Sequence, residues 1–127
     1  MAGLNNKLVL DTNVILYAVV NNYIVAKTLI EDNDIYISEL TEIELMGYHR
    51  LSKEKSQVIK ALLEYMTIVP LNSEIEILAI EFRRKHNLKL PDAIIAATAH
   101  EQGCFLVSAD KKLQVIKEIK VIAFNAP

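Results

Sequence analysis

The chain has 127 residues, of which 52% are hydrophobic and 24% are charged. This length and composition are typical of one globular domain with its own core, and they exclude a disordered chain. The net charge of −2 excludes a protein that binds polyanions through overall charge. No apolar run approaches the roughly 18 residues of a membrane span, and the opening residues MAGLNNK lack the apolar stretch of a secretory signal.

The number of cysteines limits the possible disulfides and metal sites and indicates the cellular compartment. Cys104 is the only cysteine, which excludes an intrachain disulfide and a zinc site built on several cysteines. A single cysteine fits a reducing compartment, so we expect a cytoplasmic protein without membrane association.

The first half of the chain alternates short apolar runs with helical patterns. Residues 7–10 are too few for a helix and favour a buried strand. Thr12 and Asn13 are cap-type residues that precede the helical run VILYAVV. The later patterns in this half predict a helix over 26–31, a strand over 35–37, and helices over 41–51 and 53–65.

The second half continues the same alternation. A strand is predicted over 67–69, and Ser73 begins a predicted capping box for a helix that reaches about residue 86. Pro91 fits the first turn of the next helix, and Gly103 fits its end. Strands over 105–108 and 120–124 flank a short helix after Asp110. Alternating strands and helices predict an α/β fold whose parallel sheet is covered on both faces.

Asp11 stands between two apolar runs in LVLDTNVILY. A buried carboxylate is costly unless a partner compensates it. Asp11 ends the first predicted strand, and ligands of open α/β sheets bind at the carboxyl ends of strands. The alternative interpretation is an acid that caps the following helix.

Helical phase distinguishes Glu44 from its acidic neighbours. At 3.6 residues per turn, Glu44 shares a stripe with three other positions of the predicted helix, which are Leu40, Gly47 and Leu51. Glu39 and Glu42 fall on the opposite face, so the pattern buries Glu44 alone. Gly47 on that stripe would allow close approach of another backbone. The alternative for Glu44 is a buried ion pair with a basic residue.

Asp92 and Asp110 occupy comparable positions. Asp92 follows Pro91 at the start of a helix whose next seven residues are uncharged, which predicts a helix buried nearly all round. Asp110 follows the predicted strand FLVS, where Ser108 offers a hydroxyl. Each aspartate has a capping role as its alternative. Four carboxylates in one place would repel one another, and a divalent cation such as Mg²⁺ or Mn²⁺ relieves that repulsion.

Several stretches together resemble the PIN domain family. LVLDTNVILY is similar to the family's opening motif, which is an apolar strand followed by Asp-Thr-Asn. SELTEIEL resembles the second motif through Ser38, Thr41, Glu44 and Leu45. LPDAIIAATAHEQGCFLVSAD resembles the third and fourth motifs, with an Asp that opens an alanine-rich helix and a strand that ends in Ser-x-Asp. Order, spacing and length are similar to those of small VapC-like toxins.

The resemblance implies a PIN-like, Rossmann-like three-layer α/β/α fold with a central parallel sheet of about five strands, as a single domain over residues 1–127. It implies an endoribonuclease that needs Mg²⁺ or Mn²⁺ and hydrolyses single-stranded RNA to leave a 5′-phosphate and a 3′-hydroxyl. It also implies a cognate antitoxin and a homodimer. The residues carried over are the catalytic and metal-binding acids Asp11, Glu44, Asp92 and Asp110, and the supporting polar groups Thr12, Asn13 and Ser108.

Two positions depart from the family pattern. Many relatives have an aromatic residue where this chain has Leu113, and a threonine where it has Ser108. Neither change removes a carboxylate.

Basic residues cluster beside the predicted site. Without the four acids, 14 basic and 12 acidic residues remain, so the rest of the chain is mildly basic. The clusters adjoin Asp92 and Asp110 in sequence and comprise Arg83, Arg84, Lys85, Lys89, Lys111 and Lys112. They are candidates to bind RNA phosphates. The alternative for residues 83–85 is a solvated helix end with a favourable dipole interaction.

Two other classes of function remain open. A phosphotransfer receiver domain also gathers acids around Mg²⁺ at strand ends, but its third strand would end in an aspartate where this chain has Val69 and Pro70. A non-catalytic PIN-like module would bind RNA or protein without cleaving it.

Overall fold

The structure, a computed structural model, describes residues 6–127. Over these residues the chain forms five strands, which are β1 (Lys7–Leu10), β2 (Asp34–Ser38), β3 (Thr67–Val69), β4 (Phe105–Ser108) and β5 (Val121–Ala123). Seven helices connect them, which are α1 (Thr12–Val19), α2 (Ile24–Asp32), α3 (Glu39–Met46), α4 (Lys53–Tyr65), α5 (Ser73–His86), α6 (Leu90–Gln102) and α7 (Lys111–Gln114). Residues 1–5, on which the expected absence of a secretory signal partly depends, lie outside the described residues.

The five strands form one parallel sheet in the order β3-β2-β1-β4-β5. Parallel strands need crossover connections, and the helices between successive strands supply them. The chain moves outward from β1 to β2 and β3, then returns to place β4 on the other side of β1. The helices that follow β1 and β4 therefore leave toward opposite faces of the sheet, which creates a crevice at the C-terminal ends of these two strands. This order also differs from the 2-1-3-4-5 order of receiver domains, which excludes that alternative.

Two hydrophobic cores lie on opposite faces of the sheet. Along β1 successive side chains alternate, so that Val9 packs on one face and both Leu8 and Leu10 pack on the other. Helices α5, α6 and α7 cover the face of Val9, and α1, α2 and α4 cover the opposite face. The predicted three-layer α/β/α arrangement is confirmed.

Helix α6 is buried from Ala93 to Ala99 without interruption, as its uncharged sequence predicts. Pro91 lies in its first turn, and Gly103 ends it with φ of +64°, a left-handed conformation that glycine adopts without a Cβ clash. The amides of Gly103 and Cys104 then donate to the carbonyls of His100 and Ala99.

Helix α3 differs from the prediction over residues 41–51. It begins at Glu39 because the Ser38 hydroxyl accepts a hydrogen bond from the Leu40 amide at 3.1 Å, and it ends at Met46, with Gly47 as its C-cap. Gly47 is exposed and gives no close approach to another element, so its predicted packing role is wrong.

Other boundaries were also misplaced. Asn72 caps α5 by accepting from the Ile75 amide at 2.9 Å, so the predicted capping box at Ser73 is wrong. Asp11 occupies the cap position of α1, and the predicted cap residues Thr12 and Asn13 lie inside the helix. Helix α2 is longer than predicted, and β5 is shorter.

Within residues 6–127, no single helix is long and apolar enough to cross a membrane. The pair α1 and α2 meets the length and composition of a span only when taken together, and a bend of 114° separates the two helices.

Candidate functional site

A pocket of about 480 Å³ opens at the C-terminal edge of the sheet, beside the crevice between β1 and β4. All four acids singled out in the sequence line it. Its full lining comprises Asp11, Thr12, Asn13, Leu16, Glu44, Tyr48, Pro91, Asp92, Ile95, Ala109 and Asp110.

Asp11 follows β1 directly and faces this pocket. Although it occupies the cap position of α1, its side chain makes no capping hydrogen bond. Its Oδ2 instead accepts a hydrogen bond from the Ser108 hydroxyl at 2.8 Å. Burial raises the pKa of Asp11, the charges of Asp110 and Glu44 raise it further, and the bond from Ser108 opposes them. Capping therefore does not account for Asp11.

Asp110 serves two purposes. Its Oδ1 accepts from the Lys112 amide at 2.9 Å and caps α7, so the capping interpretation is correct for this oxygen. Its own amide donates to the Ser108 hydroxyl oxygen at 3.0 Å. Ser108 is buried and thus connects the acids that follow β1 and β4.

Glu44 is held by hydroxyl groups. The Thr12 hydroxyl donates to Glu44 Oε1 at 2.6 Å and lies 3.1 Å from the Thr41 hydroxyl. Because an ionised carboxylate only accepts, Thr12 donates its single proton to Glu44, and the buried Thr41 donates to Thr12. Among the described residues no basic side chain pairs with Glu44, which contradicts the ion-pair alternative.

The helical phase assigned to Glu44 needs correction. Thr41 and Leu45 form the buried stripe of α3, whereas Glu44 and Glu42 are both half-buried. Glu44 lines the pocket and Glu42 does not, so the two differ in what they face.

Asp92 lies in the first turn of α6 and is half-buried. Burial raises its pKa to about 6, together with the charges of Asp110 and Asp11 and a hydrogen bond with Asp110, while the charge of Lys89 lowers it. A carboxyl group with this pKa titrates about two pH units above an ordinary aspartate, which is unusual for a residue that only caps a helix.

The donor set suits a hard divalent cation, because four carboxylates line one pocket and two of them have raised pKa values. Among residues 6–127, however, no three His, Cys, Asp or Glu side chains are grouped closely enough to form a ready-made metal site. The residues present fit the chemistry of the ion.

Comparison with known protein families gives a match over most of the chain. The model of the PIN domain matches residues 8–119. The chain belongs to the PIN domain family. A search of the curated proteins finds no match.

Solved structures resemble this PIN domain over most of its length. VapBC2 from Rickettsia felis, bound to a DNA fragment from its promoter, is 18% identical with a TM-score of 0.79, over 94% of this chain and 99% of that one. A toxin–antitoxin complex from Klebsiella pneumoniae is 26% identical with a TM-score of 0.77, over 91% and 96%. VapBC-1 from nontypeable Haemophilus influenzae is 22% identical with a TM-score of 0.75, over 92% and 97%.

The three polar residues named with the acids, Thr12, Asn13 and Ser108, lie at or beside the pocket of this PIN domain. Thr12 and Asn13 line the pocket, whereas Ser108 is buried outside the lining and donates a hydrogen bond to Asp11. Gln114 was not anticipated, and its side-chain amide donates to the Ser108 carbonyl at 3.0 Å. Thr41 was anticipated only as part of a motif, although it supports Glu44 through Thr12.

The basic residues do not line the pocket. Arg83 donates to the Leu88 carbonyl at 3.2 Å, and Lys85 pairs with Glu118 at 2.9 Å. Arg84 and Lys85 border a different cavity along α5. Lys89 is close enough to Asp92 to lower its pKa, and Lys111 and Lys112 continue from Asp110 into α7. Residues 83–85 are therefore weaker candidates for RNA contact than Lys89, Lys111 and Lys112.

Sequence reasoning missed the apolar wall of the pocket. Leu16, Tyr48 and Ile95 face the same space as the carboxylates. The available signal was spacing, because Tyr48 lies four residues after Glu44.

Proposed function

We propose that this PIN domain is an endoribonuclease that uses Mg²⁺ or Mn²⁺ to hydrolyse phosphodiester bonds of single-stranded RNA. The observation that carries the proposal is the meeting of Asp11, Glu44, Asp92 and Asp110 on one pocket at the point where the strand order reverses. These four residues would hold the cation.

The supporting residues hold the acids in position through hydrogen bonds. Ser108 holds one oxygen of Asp11, and Thr12 holds one oxygen of Glu44, which leaves the other oxygens free for ligands. The charge of Asp110 raises the pKa of Asp92, so in the metal-free protein a proton on Asp92 reduces the repulsion between the two carboxyl groups. A bound divalent ion supplies an activated water and neutralises phosphate charge.

The toxin assignment rests on relatives. A toxin–antitoxin complex from Klebsiella pneumoniae and VapBC proteins from other bacteria share this fold. We infer that the chain is the toxin of such a pair, with an antitoxin protein as partner, and that it forms a homodimer in the cytoplasm. A small protein encoded beside it should copurify with it and suppress cleavage.

Metal dependence is the first test. Purified protein should cleave an unstructured RNA in Mn²⁺ or Mg²⁺ and stop in EDTA, and activity should return when the metal is restored. Asp11→Asn should lose about 100-fold or more, because outer ligand partners alone are worth 10- to 100-fold in metal sites. Undiminished cleavage in EDTA would contradict the metal mechanism.

A non-catalytic RNA- or protein-binding module is the second candidate. The observation that favours it is the lack of a ready-made group of three ligands among the described residues. RNA binding that needs no divalent metal, without cleavage of any RNA in Mn²⁺, would support this candidate over the nuclease.

A further inference from the structure

The acidic pocket has an apolar wall that metal binding does not explain. Leu16, Tyr48 and Ile95 line it together with the polar groups, and Tyr48 is the only aromatic residue in the described lining. A site that held only a cation and a phosphate group would need no such wall.

Tyr48 is held in place by its backbone. It lies just after Gly47, in the segment between α3 and α4, and its amide donates to the Leu45 carbonyl at 3.3 Å. The side chain is half-buried and belongs to neither hydrophobic core. Its hydroxyl has no hydrogen-bond partner among residues 6–127. The ring therefore faces the pocket without a large share in folding.

Charge beside Tyr48 favours a nucleic-acid ligand. His49 lies against it with ring centroids 6.2 Å apart, and the exposed Arg50 forms no ion pair with another described residue. An aromatic face next to a free cation is the combination that single-stranded nucleic acids bind, through base stacking and phosphate contact.

We propose that Tyr48 stacks on the nucleobase next to the scissile phosphate and so selects unpaired RNA, an inference that rests on the proposed ribonuclease function. Bases in a duplex stack on one another and present no free face, whereas an unpaired base presents its face to the ring. The four acids that line the same pocket, of which Glu44 lies four residues before Tyr48, act on the phosphate that the base carries. Tyr48 thereby determines substrate class rather than chemistry.

The test couples the protein and the RNA. The parent first cleaves a long unstructured RNA in Mn²⁺, and the cut is mapped. Short RNAs that span this cut are then made with the natural base or an abasic nucleotide on each side. We measure kcat/KM for the parent, Tyr48→Ala, Tyr48→Phe and the control Tyr65→Ala, whose ring is 89% exposed at the end of α4.

We expect removal of one base to lower kcat/KM for every protein except Tyr48→Ala. The parent, Tyr48→Phe and Tyr65→Ala should lose roughly 5- to 150-fold on one abasic RNA, the range of one base–aromatic stack. Tyr48→Ala should be slower on the natural RNA and lose less than about twofold on abasic substitution. Equal abasic effects in the parent and Tyr48→Ala would overturn the stacking role while the nuclease assignment stands. A parent that cleaves no RNA would overturn both.

Discussion

Judged from its neighbours in sequence alone, each aspartate of the site could be a helix-capping residue. Only its contacts in the folded protein show whether it caps a helix, faces the pocket or does both. Asp110 caps α7 and also faces the pocket, whereas Asp11 holds a cap position without making the capping bond. The hydroxyl of Ser108 bonds to Asp11 across 97 positions of sequence. At the scale of single residues, long-range hydrogen bonds thus distinguish an acid that only caps a helix from one that also faces the pocket.

Glu44 and Glu42 provide a matched pair, since both are half-buried on α3 but only Glu44 lines the pocket. We expect Glu44→Gln to reduce cleavage about 100-fold or more, because it removes a charge from the cation site. Glu42→Gln should stay within a few-fold of the parent. The measurement is kcat/KM on one RNA, with circular dichroism to show that both variants are folded. Comparable losses in both variants would place the essential carboxylate elsewhere on the helix.

Asp92 predicts a pH dependence of stability in the metal-free protein. Its pKa of about 6 in the folded state exceeds the ordinary 3.8, so the folded state holds a proton that the unfolded state has lost. This contribution is complete below about pH 4 and is lost as the pH rises through 6. In EDTA, the melting temperature of Asp92→Asn should therefore rise relative to the parent between pH 4 and pH 7.5.

The expected size is a few degrees, because Asp92 is partly exposed and solvent screens its charge. Thermal melts at both pH values decide the sign. If the melting temperature of Asp92→Asn instead falls relative to the parent as the pH rises, the favourable interaction of the carboxylate with the start of α6 outweighs the repulsion.

At the scale of elements, helix ends position the site and were the least predictable feature. Helix α6 carries Asp92 at one end and closes at Gly103 at the other. Helix α3 carries Glu44, and its start at Ser38 follows directly from β2. A shift of one residue in either helix would turn its acid away from the pocket, since each residue rotates by about 100°.

Two helices end in residues with left-handed backbone conformation, and substitutions there test how these residues contribute to stability. Gly103 has φ of +64°, and Asn87 ends α5 with φ of 53°. We expect Gly103→Ala to lower the free energy of unfolding by about 1 kcal/mol, because a Cβ is strained in this conformation. Asn87→Gly should be neutral within a few tenths of a kcal/mol or slightly stabilising. Urea denaturation measures both, and an unchanged Gly103→Ala would show that the loop relaxes.

At the scale of the whole molecule, the sheet order brings distant acids together and leaves their charges uncompensated. Acids that follow β1 and β4 directly and acids from α3 and α6 meet at one edge. The carboxylates repel one another in the metal-free state, and we expect a cation that binds only the folded state to increase stability by mass action.

Mn²⁺ should therefore raise the melting temperature of the parent. At a hundredfold excess over the dissociation constant the gain is about 2.7 kcal/mol, or roughly 10 °C for a domain of this size. Asp11→Asn should gain much less. Glu118→Gln is the matched control, because Glu118 pairs with Lys85 and His86 rather than lining the pocket. Calorimetry with and without Mn²⁺ measures the shifts, and an equal gain in Asp11→Asn would place the ion elsewhere.

The sequence by itself determined the α/β class, the five strands and the buried character of α6, because apolar runs and uncharged stretches report burial directly. It also singled out the four acids that line the pocket, because each of them lies in a short motif that can be read along the chain. It misjudged the limits of α3 and the cap of α5, where Ser38 and Asn72 competed with neighbouring residues of similar capping propensity.

Only the tertiary structure decided which oxygens of these acids are engaged and what faces them. Ser108, Gln114 and the pair Thr12–Thr41 act through contacts between elements far apart in sequence, and no local pattern encodes such distances. Tyr48 gained its place in the pocket in the same way. The physical reason is that propensity and periodicity depend on neighbours along one helix or strand, whereas a site at a topological switch point depends on how several elements pack.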